Sequence, residues 1–210
     1  MNCLFSSHAK ADKRDEVEEC LRSAGFNVTN IFSKDDLINI RNRDYDLLIS
    51  DRTQFLFPPD FINSLSCPRI NTHPSLLPYH KGSQPVFWAS ILNHKLGVSL
   101  HSIDAALDSG EIYMQSEVIY DESMTFSEVH QLCRKKITES IKEIANTIIS
   151  GEQLRGSPQP SYCNEHHRLK ESLVLLEKLP NRWNTKIRDA RRILSVDLEE
   201  MHIIRTISNG

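Results

Sequence analysis

Two short stretches of the sequence contain side chains that could stabilise a negatively charged oxygen and move a proton. Residues 69–82 (RINTHPSLLPYHKG) include Asn71 and His73, and residues 107–112 (LDSGEI) include Asp108. Asn71 and His73 are two residues apart, so on a strand their side chains leave by the same face. The proline that follows ends the strand and restricts His73 to an extended backbone. An amide donor and an imidazole before a forced turn suit a site where charge develops on oxygen.

The same pattern also has an ordinary structural explanation. An asparagine and a histidine at the end of a strand often satisfy the backbone of the following turn, and Asn-x-His-Pro taken alone favours that explanation. His101 lies on a strand pattern at 97–104. It is more typical of a hydrogen-bonded strand histidine than of a catalyst, although it could border a pocket. The residues alone therefore leave both interpretations open.

The composition is that of an ordinary globular chain. Hydrophobic residues make up 39% of the 210 residues, charged residues make up 25%, and the formal net charge is −3. No general attraction to nucleic acid or to anionic membranes is therefore expected. No apolar run approaches the roughly 18 residues of a membrane helix, and the N-terminus lacks a signal-peptide core. The five cysteines are odd in number and lack C-x-x-C spacing, which indicates reduced thiols and predicts a cytoplasmic protein.

Alternating patterns in the N-terminal third predict an α/β fold. Strand patterns at 3–6, 26–32 and 45–50 alternate with helix patterns at 11–24 and 34–40. Strands and helices joined by short connections indicate a Rossmann-like, mainly parallel twisted sheet flanked by helices. The first turn has no glycine-rich phosphate loop, so neither a dinucleotide fingerprint nor a P-loop is present.

The central part of the chain supplies more elements and one ambiguous loop. We expect helices at 60–65 and 85–93, and strands at 97–104 and 112–120. Thr125 and Glu128 form a capping-box pattern that opens a long amphipathic helix ending near Gly151. The run FLF at 55–57 precedes two prolines. It either lines a pocket for a flat ring at the carboxyl end of the sheet or simply enters the core.

The composition changes after residue 150. Residues 153–159 have a linker-like composition, a helix pattern follows at 169–179, and a second partly apolar segment covers 183–201. We therefore expect a main domain over 1–150 and a small, mostly helical appendage over 151–210. The appendage would pack on the core, form a homodimer face or close over a substrate. Cys163, His166 and His167 lack a second ligand pair at useful spacing, so no metal is predicted.

Several motifs, in order and at suitable spacing, resemble the folate-dependent formyltransferases. They are N-x-H-P-S-L-L-P at 71–78, then Gly82, Pro85 and Trp88, then Gly97-Val98, then Asp104 with LDSG at 107–110. The likeness is strong over 45–120, covers 1–150 in layout, and is greatest to small nucleotide-sugar N-formyltransferases. It implies the formyltransferase fold, with a catalytic domain over 1–150.

The resemblance also implies roles for single residues. Asn71, His73 and Asp108 would be catalytic: the amide would hold the oxyanion, the imidazole would bind the same centre or relay a proton, and the carboxylate would set the imidazole's tautomer or raise its pKa. The formyl donor would be 10-formyltetrahydrofolate, with no metal. Its pterin ring is expected against a folate set, Gln54, Phe55, Leu56, Phe57, Ile103, Asp104 and Leu107.

The acceptor is expected beside a second group of residues. This acceptor set is Ser75, Tyr79, His80, Lys81 and Gln84. Ser75 is the weaker candidate and could instead hold the turn, and Lys81 could equally be a solvated surface lysine. The expected acceptor is a dTDP- or UDP-linked amino-dideoxy sugar of the kind used in O-antigen or polysaccharide biosynthesis. Nucleic acid and membrane are not expected partners, and a homodimer is a further option.

Four alternatives remain within reach of the same motifs. The tail looks too helical for the β-barrel domain of methionyl-tRNA formyltransferase. The first turn is not the glycine–serine-rich, phosphate-binding turn of phosphoribosylglycinamide formyltransferase. A formyltetrahydrofolate hydrolase usually carries an N-terminal ligand-sensing domain, which we do not find. A non-catalytic folate- or sugar-binding protein would not need Asn71, His73 and Asp108 together.

Overall fold

The computed structural model describes residues 1–8, 15–40, 45–160 and 166–199. In these ranges the strands are β1 (Asn2–Ser7), β2 (Asn27–Ile31), β3 (Leu47–Asp51), β4 (Arg69–His73), β5 (Lys81–Gly82), β6 (Gly97–Ser102), β7 (Ile112–Glu117) and β8 (His166–His167). The helices are α1 (Glu16–Ser23), α2 (Pro59–Ser64), α3 (Pro85–Ile91), α4 (Phe126–Ile149), α5 (Leu169–Glu177) and α6 (Ile187–Ile193), with 3-10 turns at Asp35–Asn39 and Arg182–Asn184. Each strand expected in the first 120 residues is found within a few residues of its expected bounds.

A mixed sheet with the strand order β2-β1-β3-β4-β6-β7 runs through the part of the chain that the structure describes. β2, β1, β3 and β4 are parallel neighbours, whereas β6 and β7 run antiparallel. The expected mainly parallel sheet flanked by helices is therefore confirmed. β4 is the strand at which the parallel part of the sheet meets the antiparallel part.

The two faces of the sheet carry different apolar clusters. The larger core contains Phe5, Ile49 and Leu100 from the strands and is covered by α1, α3, α4 and α6. A smaller core on the opposite face contains Leu4 and Leu48 together with side chains from α2 and the loop before it. Apolar residues alternate between these faces along β1 and β3, as the two-residue repeat of a strand requires.

The long helix α4 is the main support under the larger core. Thr125 Oγ1 accepts a hydrogen bond of 3.2 Å from the Glu128 backbone N–H, and Glu128 Oε2 accepts one of 2.7 Å from the Thr125 N–H. The predicted capping box is thus confirmed, and the helix ends at Ile149, with Ser150 as its C-cap. None of the helices in the described ranges has the length and apolar character needed to cross a membrane.

Two of the expected helices differ from what the patterns indicate. The pattern at 34–40 forms only a 3-10 turn, because Asp36 accepts hydrogen bonds from the Phe32 and Ser33 N–H groups and ties the turn to the preceding strand. The pattern at 11–24 becomes α1, which begins at Glu16 because the Asp15 side chain accepts from Val17 N. Residues 11–14 of that expectation lie outside the described ranges.

The segment after α4 packs on the larger core. Leu175 and Leu176 of α5 and Ile187 and Ala190 of α6 are buried in it. Arg191 donates two hydrogen bonds, of 2.9 and 2.6 Å, to the carbonyl of Ser90 in α3. The predicted boundary at residue 150 remains a prediction, but the described residues beyond it share a core with the sheet.

A buried carboxylate ends β3 on the α4 side of the sheet. Asp51 is fully buried and accepts hydrogen bonds of 2.7 and 2.8 Å from Arg134 Nη1, one of 3.1 Å from Arg52 Nε and one of 2.5 Å from Thr72 Oγ1. Burial opposes the charged form, but the two guanidinium groups outweigh it and hold the pKa of Asp51 below its ordinary value. This network ties α4 to the ends of β3 and β4.

Arg134→Met should therefore be strongly destabilising. It leaves the Asp51 carboxylate buried without its two shortest charged contacts, which typically costs about 3–5 kcal/mol in the free energy of unfolding. Urea denaturation at neutral pH measures the loss. Lys136→Met, which removes an exposed pair with Glu139 on the same helix, should change little.

The acid dependence of this loss has a definite sign. Because the Asp51 pKa is depressed in the folded protein, its contribution is present above the ordinary carboxyl pKa and disappears as the pH falls through the folded value. The gap between wild type and Arg134→Met should accordingly shrink in acid. Equal urea midpoints for Arg134→Met and Lys136→Met at neutral pH would contradict this account.

Candidate active site

The end of β4 presents an amide and an imidazole on the face opposite α4. Asn71 and His73 alternate with Thr72, whose hydroxyl turns to Asp51 on the other face. In the antiparallel register of β4 and β6, Asn71 lies directly opposite His101. One amide and two imidazoles therefore meet where the sheet changes from parallel to antiparallel.

The loop after β6 brings a carboxylate over these side chains. Asp108 Oδ2 lies 3.6 Å from His73 Nδ1, and Asp108 Oδ1 lies 3.4 Å from Asn71 Nδ2 and 3.6 Å from His101 Nε2. The Gly82 backbone N–H donates a 2.8 Å hydrogen bond to Oδ2. Asn71, His73 and Asp108, which are distant in the sequence, thus converge on one small volume.

A glycine allows this loop to pass close to the sheet. A Cβ atom at Gly110 would lie 1.9 Å from the carbonyl oxygen of Ser102, a distance that no side chain can adopt. Asp108 has a φ of +50°, a left-handed conformation that aspartate tolerates better than most residues. The close approach of the loop to the end of β6 is what places the carboxylate beside the imidazoles.

Backbone carbonyls determine where the protons of the two histidines lie. His101 Nδ1 donates to Ser102 O over 2.8 Å, so in the neutral ring Nε2 accepts from Asn71 Nδ2–H at 3.1 Å. His73 Nε2 donates to His80 O over 2.9 Å, so its Nδ1 carries the lone pair that faces Asp108. A proton taken up by His73 would therefore sit on Nδ1, against the carboxylate.

Burial and the local charges set the protonation states at this site. Burial lowers the pKa of His73 below its ordinary value, although the Asp108 charge and the His80 carbonyl act in the opposite direction. Burial also disfavours the charged form of Asp108. The contacts with His73, His101 and the Gly82 N–H outweigh that effect and lower the Asp108 pKa to about 2. At neutral pH the pair is a carboxylate beside a neutral imidazole.

The folate set lies partly in the smaller core and partly in solvent. Phe55 and Phe57 pack edge to face at 5.2 Å, and both contact the same core as Ile103. Leu56 and Leu107 have 70% and 50% of their surface exposed, and Gln54 and Asp104 are exposed as well. Of the two alternatives for the FLF run, the phenylalanines follow the core alternative and the leucine points outward.

The acceptor set divides into buried and accessible residues. Ser75 is fully buried, and its Oγ donates to Tyr79 O over 2.7 Å, so its hydroxyl holds the turn. His80 is also fully buried, with ring nitrogens 3.0 Å from His94 Nδ1 and His167 Nε2. These two side chains are directed into the protein in this structure rather than toward an open site. Tyr79 and Gln84 keep accessible surface.

The alternative that Lys81 is a solvated surface lysine is wrong. Its side chain is buried, and Nζ lies 3.5 Å from Ser109 Oγ in the loop that carries Asp108. The ammonium is close enough to lower the pKa of His73. A positive charge therefore lies in the candidate site itself.

Two further residues contact this site, and only one of them has a signal in the sequence. His101 is expected on a strand, as a hydrogen-bonded histidine that could border a pocket, and its alternation with Leu100 puts it on the other face of that strand. The structure places it beside Asn71 and Asp108. Gln159 was counted as part of a linker, and no local pattern marks it. Its Nε2 donates to the carbonyls of Asp108 and Gly110 over 2.9 and 2.8 Å.

Metal ligation finds no support in the described ranges, where no group of three or more His, Cys, Asp or Glu side chains is arranged to hold an ion. Cys163 lies outside those ranges. The His167 ring stacks on Trp88 at 4.4 Å and contacts His80. The chemistry available at the site is that of an amide, two imidazoles, a carboxylate and an ammonium.

Known proteins share this arrangement of elements. The model of the Formyl transferase family matches residues 6–144. Methionyl-tRNA formyltransferase of Clostridioides difficile is 28% identical over 149 residues, covering 70% of this chain and 46% of that protein. GDP-perosamine N-formyltransferase of Brucella melitensis is 28% identical over 144 residues, covering 68% and 54%. The chain thus spans about half the length of the curated relatives it matches.

A solved structure matches nearly end to end. The formyltransferase PseJ from Anoxybacillus kamchatkensis, in complex with UDP-4,6-dideoxy-4-formamido-L-AltNAc and tetrahydrofolate, superposes with a TM-score of 0.76 at 28% identity. The match covers 90% of this chain and 97% of that chain. The family model alone covers more than half of the sequence, and the resemblance inferred from the motifs is confirmed. This chain belongs to the formyl transferase family.

Proposed function

We propose that this chain is an N-formyltransferase that moves a formyl group from 10-formyltetrahydrofolate to the amine of a nucleotide-linked amino sugar. The observation that carries the proposal is the convergence of Asn71 and His73 on Asp108 at the end of β4, where their nitrogens lie 3.4 and 3.6 Å from its carboxylate oxygens. The likeness to PseJ, whose complex holds a formamido sugar on UDP together with tetrahydrofolate, supports this choice of donor and acceptor.

The proposed reaction needs an oxyanion donor and a proton acceptor. The neutral amine of the sugar attacks the formyl carbon, a C–N bond forms, and the carbonyl electron pair moves to oxygen. The amine nitrogen then loses a proton, the bond from carbon to the folate N10 breaks, and N10 takes up a proton. The products are the formamide and tetrahydrofolate, so atoms and charge are conserved.

Asn71 is proposed to stabilise the oxyanion. Its Nδ2 hydrogens point to His101 Nε2 and Asp108 Oδ1, so the amide is held in place before substrate arrives. The 3.4 Å contact to the carboxylate is long for a hydrogen bond. That hydrogen can turn to a developing oxyanion at little cost, because the contact it gives up is weak. Such a donor typically stabilises the transition state by about 3–4 kcal/mol.

His73 and Asp108 are proposed to handle the proton. His73 is neutral at neutral pH and presents the Nδ1 lone pair, so it can accept the proton of the attacking amine. The Asp108 carboxylate, 3.6 Å from Nδ1, stabilises the imidazolium that results. From that position the proton can be passed to the leaving folate nitrogen.

The pterin is proposed to bind between the loop of Leu56 and the loop of Leu107. Phe55, Phe57 and Ile103 anchor these loops to the smaller core, on the same sheet face as Asn71. Their exposed leucines offer apolar surface for a flat ring, and the loop backbone offers hydrogen-bond partners. This assignment retains the folate set expected from the resemblance.

The acceptor is proposed to approach along Tyr79, Lys81 and Gln84. The buried Lys81 ammonium beside Ser109 suits a phosphate or hydroxyl oxygen of the nucleotide sugar. Ser75 and His80, in contrast, are proposed to hold the loop on which these residues lie. The catalytic residues all fall within 1–150, which we propose as the catalytic domain, with 151–210 as its appendage.

Substrate identity is tested by one assay with parallel arms. The protein is mixed with 10-formyltetrahydrofolate and UDP-, dTDP- or GDP-linked amino sugars, and release of tetrahydrofolate is followed. We expect release with one sugar class and none without acceptor. Formate released without acceptor would indicate a hydrolase, and formylation of methionyl-tRNA, the substrate named for a relative, would replace the sugar proposal.

Asn71→Ala should lower kcat by about 10²–10³-fold, the usual cost of one oxyanion donor. Steady-state kinetics with the identified acceptor measures this loss. Asn146→Ala, an exposed asparagine on α4, serves as the matched control and should leave kcat unchanged. Formyl transfer that survives Asn71→Ala at the wild-type rate would place the oxyanion site elsewhere.

Asp108→Asn should lower the pKa of His73 further. The wild-type carboxylate raises that pKa against the effect of burial, and the amide keeps the size of the side chain but removes its charge. The titration is read from the imidazole signals of ¹⁵N-histidine-labelled protein, with His73→Gln for assignment. Asp104→Asn, at an exposed carboxylate in the same loop, is the control, and a His73 pKa that rises or stays constant in Asp108→Asn would be contrary to expectation.

A further inference from the structure

The segment after α4 reaches back to the loop that carries Asp108. The backbone of Ser157 pairs with that of Ile112 through two hydrogen bonds of 2.8 and 2.9 Å at the start of β7. Two residues later, Gln159 Nε2 donates to the carbonyls of Asp108 and Gly110 over 2.9 and 2.8 Å. The glutamine therefore clamps the loop on both sides of Ser109.

The same segment also fixes the amide that binds the Asp108 carboxylate. β8 pairs in parallel with β5, so that His167 lies beside Gly82. The Gly82 N–H donates to Asp108 Oδ2 over 2.8 Å. A Cβ atom at Gly82 would lie 2.5 Å from the His167 carbonyl oxygen, which shows how closely the strands approach. The short strand thereby determines where the Gly82 amide points.

The ring of His167 supports the partner of His73. It lies between Trp88, stacked at 4.4 Å, and His80, stacked at 5.2 Å, and its Nε2 is 3.0 Å from His80 Nδ1. The His80 carbonyl in turn accepts the hydrogen bond from His73 Nε2. The C-terminal segment therefore binds the backbone of Asp108 directly, through Gln159, and is linked to His73 through His80.

We propose that Gln159 and His167 are positioning residues that hold the Asp108 carboxylate and the His73 imidazole at the distance and orientation seen in the structure. Gln159 acts through the backbone of the Asp108 loop, and His167 acts through His80 and Gly82. Gln159 binds backbone carbonyls and His167 contacts the His80 ring, so each acts on the geometry of the pair. The catalytic consequence rests on the proposed function, whereas the positioning itself does not. A displacement of about 1 Å in such a pair commonly costs about 10²-fold in rate.

Paired variants test the two contacts. Gln159→Met keeps the side-chain length but removes the amide donors, and exposed Gln153→Met is its control. His167→Phe keeps a ring to stack on Trp88 but removes the nitrogen facing His80, and exposed His166→Phe is its control. We expect each test variant to lower kcat about 10–100-fold with the KM for folate within about twofold, because ground-state binding is untouched. The controls should match wild type.

Titration of His73 gives a readout that needs no substrate. The groups facing its ring are Asp108, His101, Lys81 and the His80 carbonyl. If the carboxylate drifts away, the His73 pKa should fall, in the same direction as in Asp108→Asn but by less. Gln159→Ala replaces Gln159→Met if the latter does not fold, as judged by its melting temperature against Gln153→Met.

The outcomes separate this inference from the proposed function. A His73 pKa that stays at the wild-type value in folded Gln159 and His167 variants would overturn the positioning role, whatever their activity. A kcat loss that merely follows the loss of melting temperature would also overturn it. A shifted His73 titration in a protein that transfers no formyl group would remove the proposed function and leave the positioning role standing.

Discussion

Keeping a carboxylate charged inside the protein is the constraint on which the site depends. Asp108 is almost fully buried, yet its pKa lies near 2 because a backbone N–H and two imidazoles face its oxygens. The two imidazoles are held in place by hydrogen bonds to backbone carbonyls. The charge is thus stabilised by His73, His101 and the Gly82 N–H, groups whose positions are already fixed in this structure, which is a preorganised arrangement.

The sheet ends in two buried aspartates with opposite surroundings. Asp51 faces α4 and forms ion pairs with Arg134 and Arg52, so its charge stabilises the packing of α4 on the end of β3. Asp108, on the other face, meets the imidazoles of His73 and His101, each at 3.6 Å. Both sites follow from the two-residue alternation of β4, in which Thr72 turns to one face while Asn71 and His73 turn to the other. This alternation places the arginine-paired carboxylate and the carboxylate of the candidate site on opposite faces of the sheet.

The sequence predicted the features that depend on interactions between residues close together in the chain. The spacing of Asn71 and His73 placed both on one face, and the Thr125–Glu128 pattern located the start of α4, since both depend on residues within a few positions. The role of His101 required the antiparallel pairing of β4 with β6, a contact between residues 30 apart. Gln159 gave no signal, because its amide bonds to backbone carbonyls about 50 residues away. Burial of Lys81 likewise depended on a loop that packs from elsewhere.

The pairing of β5 with β8 has a consequence for the order in which the site is assembled during synthesis. All strands of the main sheet precede residue 118, and α4 precedes residue 150. A nascent chain can therefore bury the smaller core and the part of the larger core under α1, α3 and α4 before β8 has left the ribosome. Until then the Gly82 amide lacks the strand that orients it. Asn71 and His73 can be in place early, whereas the cradle for the carboxylate is completed only when the last fifth of the chain emerges.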